Sequence, residues 1–465
     1  KDEVAAGKVS MDIPKDAVID GQNSVSVSLT QGSNPAKPGN VVGFAADTQI
    51  PGDTDGDGAT DATPVVAIPE AANGVNAEEL KDGVQTEVTV PKGSAAGDTL
   101  TLTVTRPDGT TDTVEHTLTA DEVTAGKADV TIPADKVTAD GQYSVTAEIT
   151  DPAGNTSGQG QPTDFTVDTQ IPGDTDGDGV VDATPVVTIP EAANGVNAEE
   201  LKDGVQTEVT VPKGSAAGDT LTLTVTRPDG TTDTVEHTLT ADEVTAGKAD
   251  VTIPADKVTA DGQYSVTAEI TDPAGNTSGQ GQPTDFTVDT QIPGDTDGDG
   301  VVDATPVVTI PEAANGVNAE ELKDGVQTEV TVPKGSAAGD TLTLTVTRPD
   351  GTTDTVEHTL TADEVTAGKA DVTIPADKVT ADGQYSVTAE ITDPAGNTSG
   401  QGQPTDFTVD TQIPGDTDGD GVVDATPVVA IPEAANGVNA EELKDGVQTE
   451  VTVPKGSAAG DTLTL

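Results

Sequence analysis

The chain is 465 residues long, with 82 acidic against 21 basic residues and a net charge of −61. Phosphates need a basic surface, so nucleic acid is excluded as a partner and anionic membrane faces are disfavoured. Cysteine is absent, which removes disulfides, thiolate metal sites and cysteine nucleophiles, and no apolar run approaches the ~20 residues of a membrane helix.

The string GDTDGDG occurs four times at a spacing of 121 residues. A fixed period of that length marks an array of one repeated domain. Residues 168–288 and 289–409 are identical, and 47–167 departs from them only at Ala59, Thr60 and Ala67. Residues 1–46 match the end of a copy, near 120–167, at lower similarity and two residues shorter. Residues 410–465 open a further copy. A chain that starts on Lys1 and begins and stops inside a domain is expected to be a window of a longer protein, so no signal or anchor is read from it. The copy 168–288 holds 22 acids and 5 bases, so the acidity is spread evenly. Such charge self-repels unless cations screen or bind it. A salt-adapted acidic surface and bound divalent cations both account for it.

Each copy opens on the aspartate-rich string. In Asp53-Thr54-Asp55-Gly56-Asp57-Gly58-Ala59-Thr60-Asp61, carboxylates at positions 1, 3 and 5 converge on one cation when the chain curls round it. The glycine at 6 permits the turn, and Asp61 at position 9 adds an oxygen. The later loops supply Asp174, Asp176, Asp178 and Asp182, then Asp295, Asp297, Asp299 and Asp303, then Asp416, Asp418, Asp420 and Asp424. The pattern resembles an EF-hand or thrombospondin type 3 calcium loop, but position 12 is Pro64 rather than a bidentate Glu. All-oxygen ligands favour Ca2+ over zinc or copper, with an affinity of about 10⁻⁴–10⁻³ M as in extracellular modules. An acidic solvated linker is the alternative. Lying between one domain and the next, the loop is expected to act as a hinge without calcium and as a stiff joint with it.

Seven stretches with period-two alternation follow in residues 64–167. Their inward positions are Val66 and Ile68; Val84, Thr86, Val88 and Val90; Leu100, Leu102 and Val104; Val114, His116 and Leu118; Ala128, Val130 and Ile132; Tyr143, Val145, Ala147 and Ile149; Phe165 and Val167. Pro107-Asp108-Gly109 predicts a hairpin between the third and fourth. Thr119 predicts the cap of one short helical turn. Seven short strands in such a span indicate an all-β fold, an immunoglobulin-like β-sandwich. Asp140-Gly141-Gln142-Tyr143 resembles the tyrosine corner of such domains, where the phenol bonds back to nearby backbone; an ordinary aromatic core residue is the alternative.

The expected plan is therefore a row of tandem seven-stranded immunoglobulin-like sandwiches joined by calcium-binding linkers. Complete domains are expected at 64–167, 185–288 and 306–409, with calcium-loop linkers at 47–63, 168–184, 289–305 and 410–426. Truncated domains are expected at 1–46 and 427–465.

Further acids sit at strand ends: Glu70, Asp82, Asp98, Asp151 and Asp168, with Asn155 in the same turn as Asp151. Such residues ordinarily bond their own backbone. The strings Pro69-Glu70-Ala71-Ala72-Asn73-Gly74, Lys81-Asp82-Gly83-Val84, Gly97-Asp98-Thr99-Leu100, Thr150-Asp151-Pro152-Ala153-Gly154-Asn155 and Val167-Asp168-Thr169 together resemble the bacterial immunoglobulin-like domains of large repetitive RTX-type adhesins, the biofilm proteins exported by type I secretion. That resemblance implies an extracellular, cell-surface extender, stiffened by calcium at its domain junctions, which projects a distal adhesive domain. It also implies junction ligands at Glu70, Asp82, Asp151, Asn155 and Asp168. Their counterparts are Glu191, Asp203, Asp272, Asn276 and Asp289; Glu312, Asp324, Asp393 and Asn397; and Asp410. Partners so implied are calcium ions, neighbouring repeats and a distal ligand bound by other domains, with no membrane insertion in this segment.

No enzyme is read. His116 (His237 and His358 in later copies) shares a strand face with Val114 and Leu118, as a partly buried histidine does. No serine–histidine–acid set is apparent, and aromatic residues are 2% of the chain, against the sugar-stacking rings of glycosidases. A repeated weak binding module acting by avidity is the alternative function; its hint is the outward row Thr99, Thr101 and Thr103.

Overall fold

The computed structural model describes residues 7–465, and the first six residues of the expected truncated domain at 1–46 lie outside the described residues. In the copy 47–167 the strands are β1 (Val66–Ala67), β2 (Val84–Thr89), β3 (Thr99–Thr105), β4 (Thr111–Thr117), β5 (Lys127–Ile132), β6 (Gly141–Thr150) and β7 (Thr163–Val167). One short helix, α1 (Ala120–Ala125), lies between β4 and β5. All seven expected strands form. Before this copy, Gly21–Leu29 pairs with Lys37–Ala46; after the third copy, Val428–Ala430 pairs with Glu450–Thr452.

Two antiparallel sheets face each other, in the orders β1-β2-β5 and β4-β3-β6-β7. The division has a local cause. Arg106 and Thr110 close a tight hairpin, the Arg106 N–H donating to the Thr110 carbonyl at 2.8 Å. That leaves no chain for β4 to cross to the other sheet, so it stays beside β3. The crossing is made afterwards by α1. Thr119 caps this helix as expected: its hydroxyl accepts from the Glu122 N–H, while the Glu122 carboxylate accepts from the Thr119 N–H at 2.7 Å.

The alternation sorts side chains as the strand pleat requires. Leu100, Leu102 and Val104 are wholly buried, whereas Thr99, Thr101 and Thr103 on the other face are partly exposed. Tyr143 and Phe165 stack with ring centroids 5.3 Å apart. The Tyr143 hydroxyl donates to the Ala139 carbonyl at 2.8 Å and accepts from the Ala139 N–H at 3.1 Å, so the tyrosine corner is formed. Replacing Tyr143, Tyr264 and Tyr385 by Phe keeps the stacked ring but strips both bonds. The expected loss is about 1–2 kcal/mol per copy in urea unfolding, and an unchanged midpoint would deny the corner its role.

The strand register gives each sandwich two distinct ends. Gly141 lies opposite Val167 at one end, and Thr150 lies opposite Thr99 at the other. Asp140 and Asp168 therefore occupy the tail, while Asp98 and Asp151 occupy the head. Val75 lies parallel beside β7, donating to the Thr166 carbonyl at 2.8 Å and accepting from the Asp168 N–H at 3.0 Å. This contact carries the segment 73–77 to the tail.

Candidate metal centre and the junction between copies

Each aspartate-rich string curls as its glycines allow. Gly56 and Gly58 have φ of 80° and 86°, a region costly for residues with a Cβ. Their N–H groups donate to the two carboxylate oxygens of Asp53, at 2.7 and 2.8 Å. These bonds, that from Gly58 foremost, hold the Asp53 carboxyl below the ordinary aspartate range. Asp61 Oδ2 accepts from the Thr54 hydroxyl at 2.7 Å and its N–H at 2.9 Å, which lowers that carboxyl too.

Three carboxylates in each loop present oxygens within 4.8 Å of one another: Asp53, Asp55 and Asp57; Asp174, Asp176 and Asp182; Asp295, Asp297 and Asp299; Asp416, Asp418 and Asp424. Positions 1, 3, 5 and 9 of the loop pattern are thus all represented. The ion pairs of a copy lie elsewhere, as in Arg106–Asp112 and Lys127–Glu87. Like charges gathered without a basic partner, offering hard oxygen donors only, form a set that fits Ca2+.

Position 12 has a structural explanation. Pro64 is buried in the sandwich, and its carbonyl oxygen lies 2.0 Å from where a Cβ on Gly160 would stand. The loop closes earlier. The Gly52 carbonyl accepts from the N–H groups of Asp61 and Ala62, at 2.9 and 3.0 Å, while the Gly52 N–H donates to the Lys92 carbonyl at 2.8 Å. A Cβ on Gly93 would stand 2.5 Å from the Ile50 oxygen, so backbone meets backbone there. Beside this contact, the Ser94 hydroxyl is buried without a hydrogen-bond partner, as are those of Ser215 and Ser336.

The loop is therefore a pinched side loop mounted on the downstream sandwich, and this revises its expected place in the mechanics. Between the copies 47–167 and 168–288, the upstream side holds Thr169, whose hydroxyl and N–H donate to Asp140 Oδ1 at 2.8 and 3.0 Å. The downstream side holds Gly173, whose N–H donates to the Lys213 carbonyl at 2.8 Å. Only Gln170, Ile171 and Pro172 separate these anchors. The aspartate-rich loop hangs outside that path instead of forming a link in it.

The strand-end candidates separate into two groups. Glu70 accepts from the Gln85 N–H inside its own sandwich, and Asp82 is exposed, its backbone carbonyl accepting from the Gln85 amide. Glu191 and Asp203 repeat this arrangement, as do Glu312 and Asp324. Among the described residues, no hydrogen bond joins them to Asp168, Asp272 or Asn276 or to the counterparts of these. Asp168, Asp272 and Asn276 do meet: Asn276 Nδ2 donates to the Asp168 carbonyl at 2.9 Å and to Asp272 Oδ2 at 2.7 Å. Asp289, Asp393 and Asn397 repeat that contact, and Asp47, Asp151 and Asn155 form it at the head of the first copy.

One junction acid was missing from the set implied by the resemblance. Asp219 and its counterpart Asp340 are only 2% exposed, and Asp98 is 3% exposed. Burial pushes the Asp219 carboxyl up, the Ala216 N–H opposes this, and the charges of Asp272 and Asp168 raise it further. Its sequence signal was the Gly-Asp pair just before β3, which a turn-capping reading accounts for equally well. His116 is tied to Glu122, with Nε2 2.8 Å from Oε1.

Among solved structures, the chain is similar to a tetra-tandem repeat in the extending region of a large adhesion protein. That match is 18% identical, covers 84% of this chain and 82% of that one, and has a TM-score of 0.31. It is similar to a Ca2+-stabilized adhesin that helps an Antarctic bacterium reach out and bind ice, at 24% identity, 82% and 80% coverage and a TM-score of 0.29. A third likeness is to a 1.5-MDa bacterial ice-binding adhesin, at 23% identity, 75% and 99% coverage and a TM-score of 0.26. Comparison with curated proteins finds no match. Residues 80–169, 184–290 and 305–411 match the model of the bacterial Ig-like domain. Those three stretches take up most of the chain, and each ends just past the last strand of a two-sheet sandwich: the chain belongs to the bacterial Ig-like domain family.

Proposed function

We propose that this chain is an extender segment of a secreted bacterial cell-surface adhesin, a rod stiffened by calcium that holds a distal adhesive domain away from the cell. The observation that carries the reading is the recurring head-to-tail junction. The tail of one copy meets the head of the next through the same residues at both junctions between complete copies: Asn73, Asn76 and Ala77 against Ala274 and Asn276, then Asn194, Asn197 and Ala198 against Ala395 and Asn397. A contact between unlike ends that repeats without closing builds a line. Near-identical sandwiches in a line make length itself the product, a structural task rather than a catalytic one. Calcium in the loops clamps the pinch at Gly52, Gly173 and Gly294, and so fixes each linker to its downstream sandwich.

The RTX type, export by type I secretion and a part in biofilm or surface attachment are what the resemblance adds to this proposal. The described residues contain no helix long and apolar enough to cross a membrane. The avidity reading gains no such support. Thr101 lies between Glu115 and Glu148 across the sheet, so the outward threonines sit among acids and not in an apolar patch.

Small-angle scattering of the whole chain tests the reading. In calcium the maximum dimension is expected to match sandwiches laid end to end. A compact particle in calcium, with copies folded back on one another, would refute it.

A further inference from the structure

The junction holds more than acids. Asn276 bonds to both sandwiches at once: its Oδ1 accepts from the Ala77 N–H at 2.8 Å, while its Nδ2 donates to the Asp168 carbonyl at 2.9 Å and to Asp272 Oδ2 at 2.7 Å. Its own N–H donates to Asp272 Oδ1 at 2.8 Å, which locks the side chain to its turn. From the upstream copy, Asn73 Nδ2 and Asn76 Nδ2 both donate to the Ala274 carbonyl, at 3.0 and 3.2 Å. Asn397 joins Ala198, Asp289 and Asp393 in the same way, at 2.8, 2.8 and 2.7 Å.

An internal comparison shows which bonds belong to the junction. Asn155 has the same sequence surroundings and keeps its bonds to Asp151 and to the Asp47 carbonyl. Among the described residues, no counterpart of the segment 73–77 bonds to it. Ala153 is exposed there, whereas Ala274 and Ala395 are 4% exposed. The contact with the upstream segment therefore buries the turn, and the fold of the turn does not depend on it.

We propose that Asn276 and Asn397, with Asn73, Asn76, Asn194 and Asn197, form an amide latch that sets the angle between successive sandwiches without any cation. The physical ground is that both faces are preformed. The turn Asp272–Asn276 is built within its own sandwich, and the segment 73–77 is held by the Val75 contact to β7, so little further ordering is needed when they meet. Neutral amides also approach an acidic junction without adding charge, and Asn76 and Asn276 each fill donor and acceptor roles together. The short linker keeps the two faces at high effective concentration, so a few neutral bonds suffice. The latch goes beyond the extender reading. Calcium holds the linker to one sandwich, whereas the amides hold the two sandwiches to each other.

Pulsed electron resonance on the whole chain tests this. The chain lacks native cysteine, so Thr113→Cys and Thr234→Cys, both on exposed strand positions, label two neighbouring copies. The wild-type distance distribution is expected to stay narrow in calcium and in EDTA. Asn276→Ala is expected to broaden it about twofold in both, since relative motion is the default for domains without a firm interface. Asn155→Ala removes the equivalent bonds within a turn and is expected to leave it unchanged. Asn276→Asp loses the Nδ2 donor and is expected to behave like Asn276→Ala. Three results would overturn the latch: a wild-type distribution that is as broad in EDTA as that of Asn276→Ala, which leaves the calcium-stiffened extender standing; no broadening in Asn276→Ala; or Asn276→Asp that is narrow in calcium and broad in EDTA, which makes Asn276 a cation ligand.

Discussion

Removing calcium with EDTA is expected to lower the melting temperature of the sandwiches by roughly 5–20 °C, with full recovery when calcium is restored. For loops of Kd about 10⁻⁴–10⁻³ M, 10 mM calcium is about 10–100 times Kd. Binding to the folded form alone then contributes about 1.4–2.7 kcal/mol per loop, and each kcal/mol shifts a domain of this size by about 4–8 °C. The coupling to folding follows from the pinch. Gly52 joins the two ends of the loop to each other and to Lys92 of the sandwich behind it, so the loop keeps its curl only while that sandwich is folded. Calorimetry on a chain with Asp53, Asp174, Asp295 and Asp416 replaced by Asn decides whether the loops are responsible. Asn still offers an oxygen to the Gly56 N–H, so the turn is retained while the charge is lost. The variant is expected to melt at the same temperature in calcium and in EDTA. If it keeps the full calcium gain, the cation acts elsewhere.

Asp219→Asn and Asp340→Asn are expected to raise the melting temperature with or without calcium. In EDTA they should raise the melting temperature by several degrees. The native carboxyl is nearly fully buried and is pushed up by that burial and by Asp272 and Asp168. A group that is harder to ionise in the folded protein than in the unfolded chain costs stability at neutral pH. Asn removes the charge and keeps an acceptor for the Ala216 N–H, which donates to Asp219 Oδ2 at 2.8 Å. Thermal melts of the double variant in both buffers read this directly. A lower midpoint in EDTA would show that the carboxylate is needed for folding in its own right.

The two predictions concern different acids, and the sequence made one set far easier to see. Asp53, Asp55, Asp57 and Asp61 lie within nine consecutive positions with glycine at the sixth. Their convergence is a local property of a short curled chain. Asp168, Asp219 and Asp272 are scattered through a copy, and the register of β3, β6 and β7 decides which of them share an end. Asp82 and Asp98 look alike in sequence, each beside a glycine and just before a strand. One ends up exposed and the other buried, because β2 and β3 start at different places in the sandwich.

Much of the architecture is decided by local chemistry. The repeat of 121 residues makes the chain an array, period-two alternation yields seven strands, the Thr119–Glu122 spacing caps α1, and the aspartate string curls. Each depends on residues close together in the chain, so each is legible before folding. The partition of strands into sheets of three and four, the burial of Pro64 at loop position 12, and the mounting of the loop on one sandwich depend on contacts between distant residues. So does the meeting of Asn73 and Asn76 with Ala274, some two hundred residues away. Nothing in the local pattern of an asparagine distinguishes a turn residue from one that bonds across a junction. Only the stacking of one sandwich's tail on the next one's head, set by the Val75 contact and the short linker, brings those amides within reach.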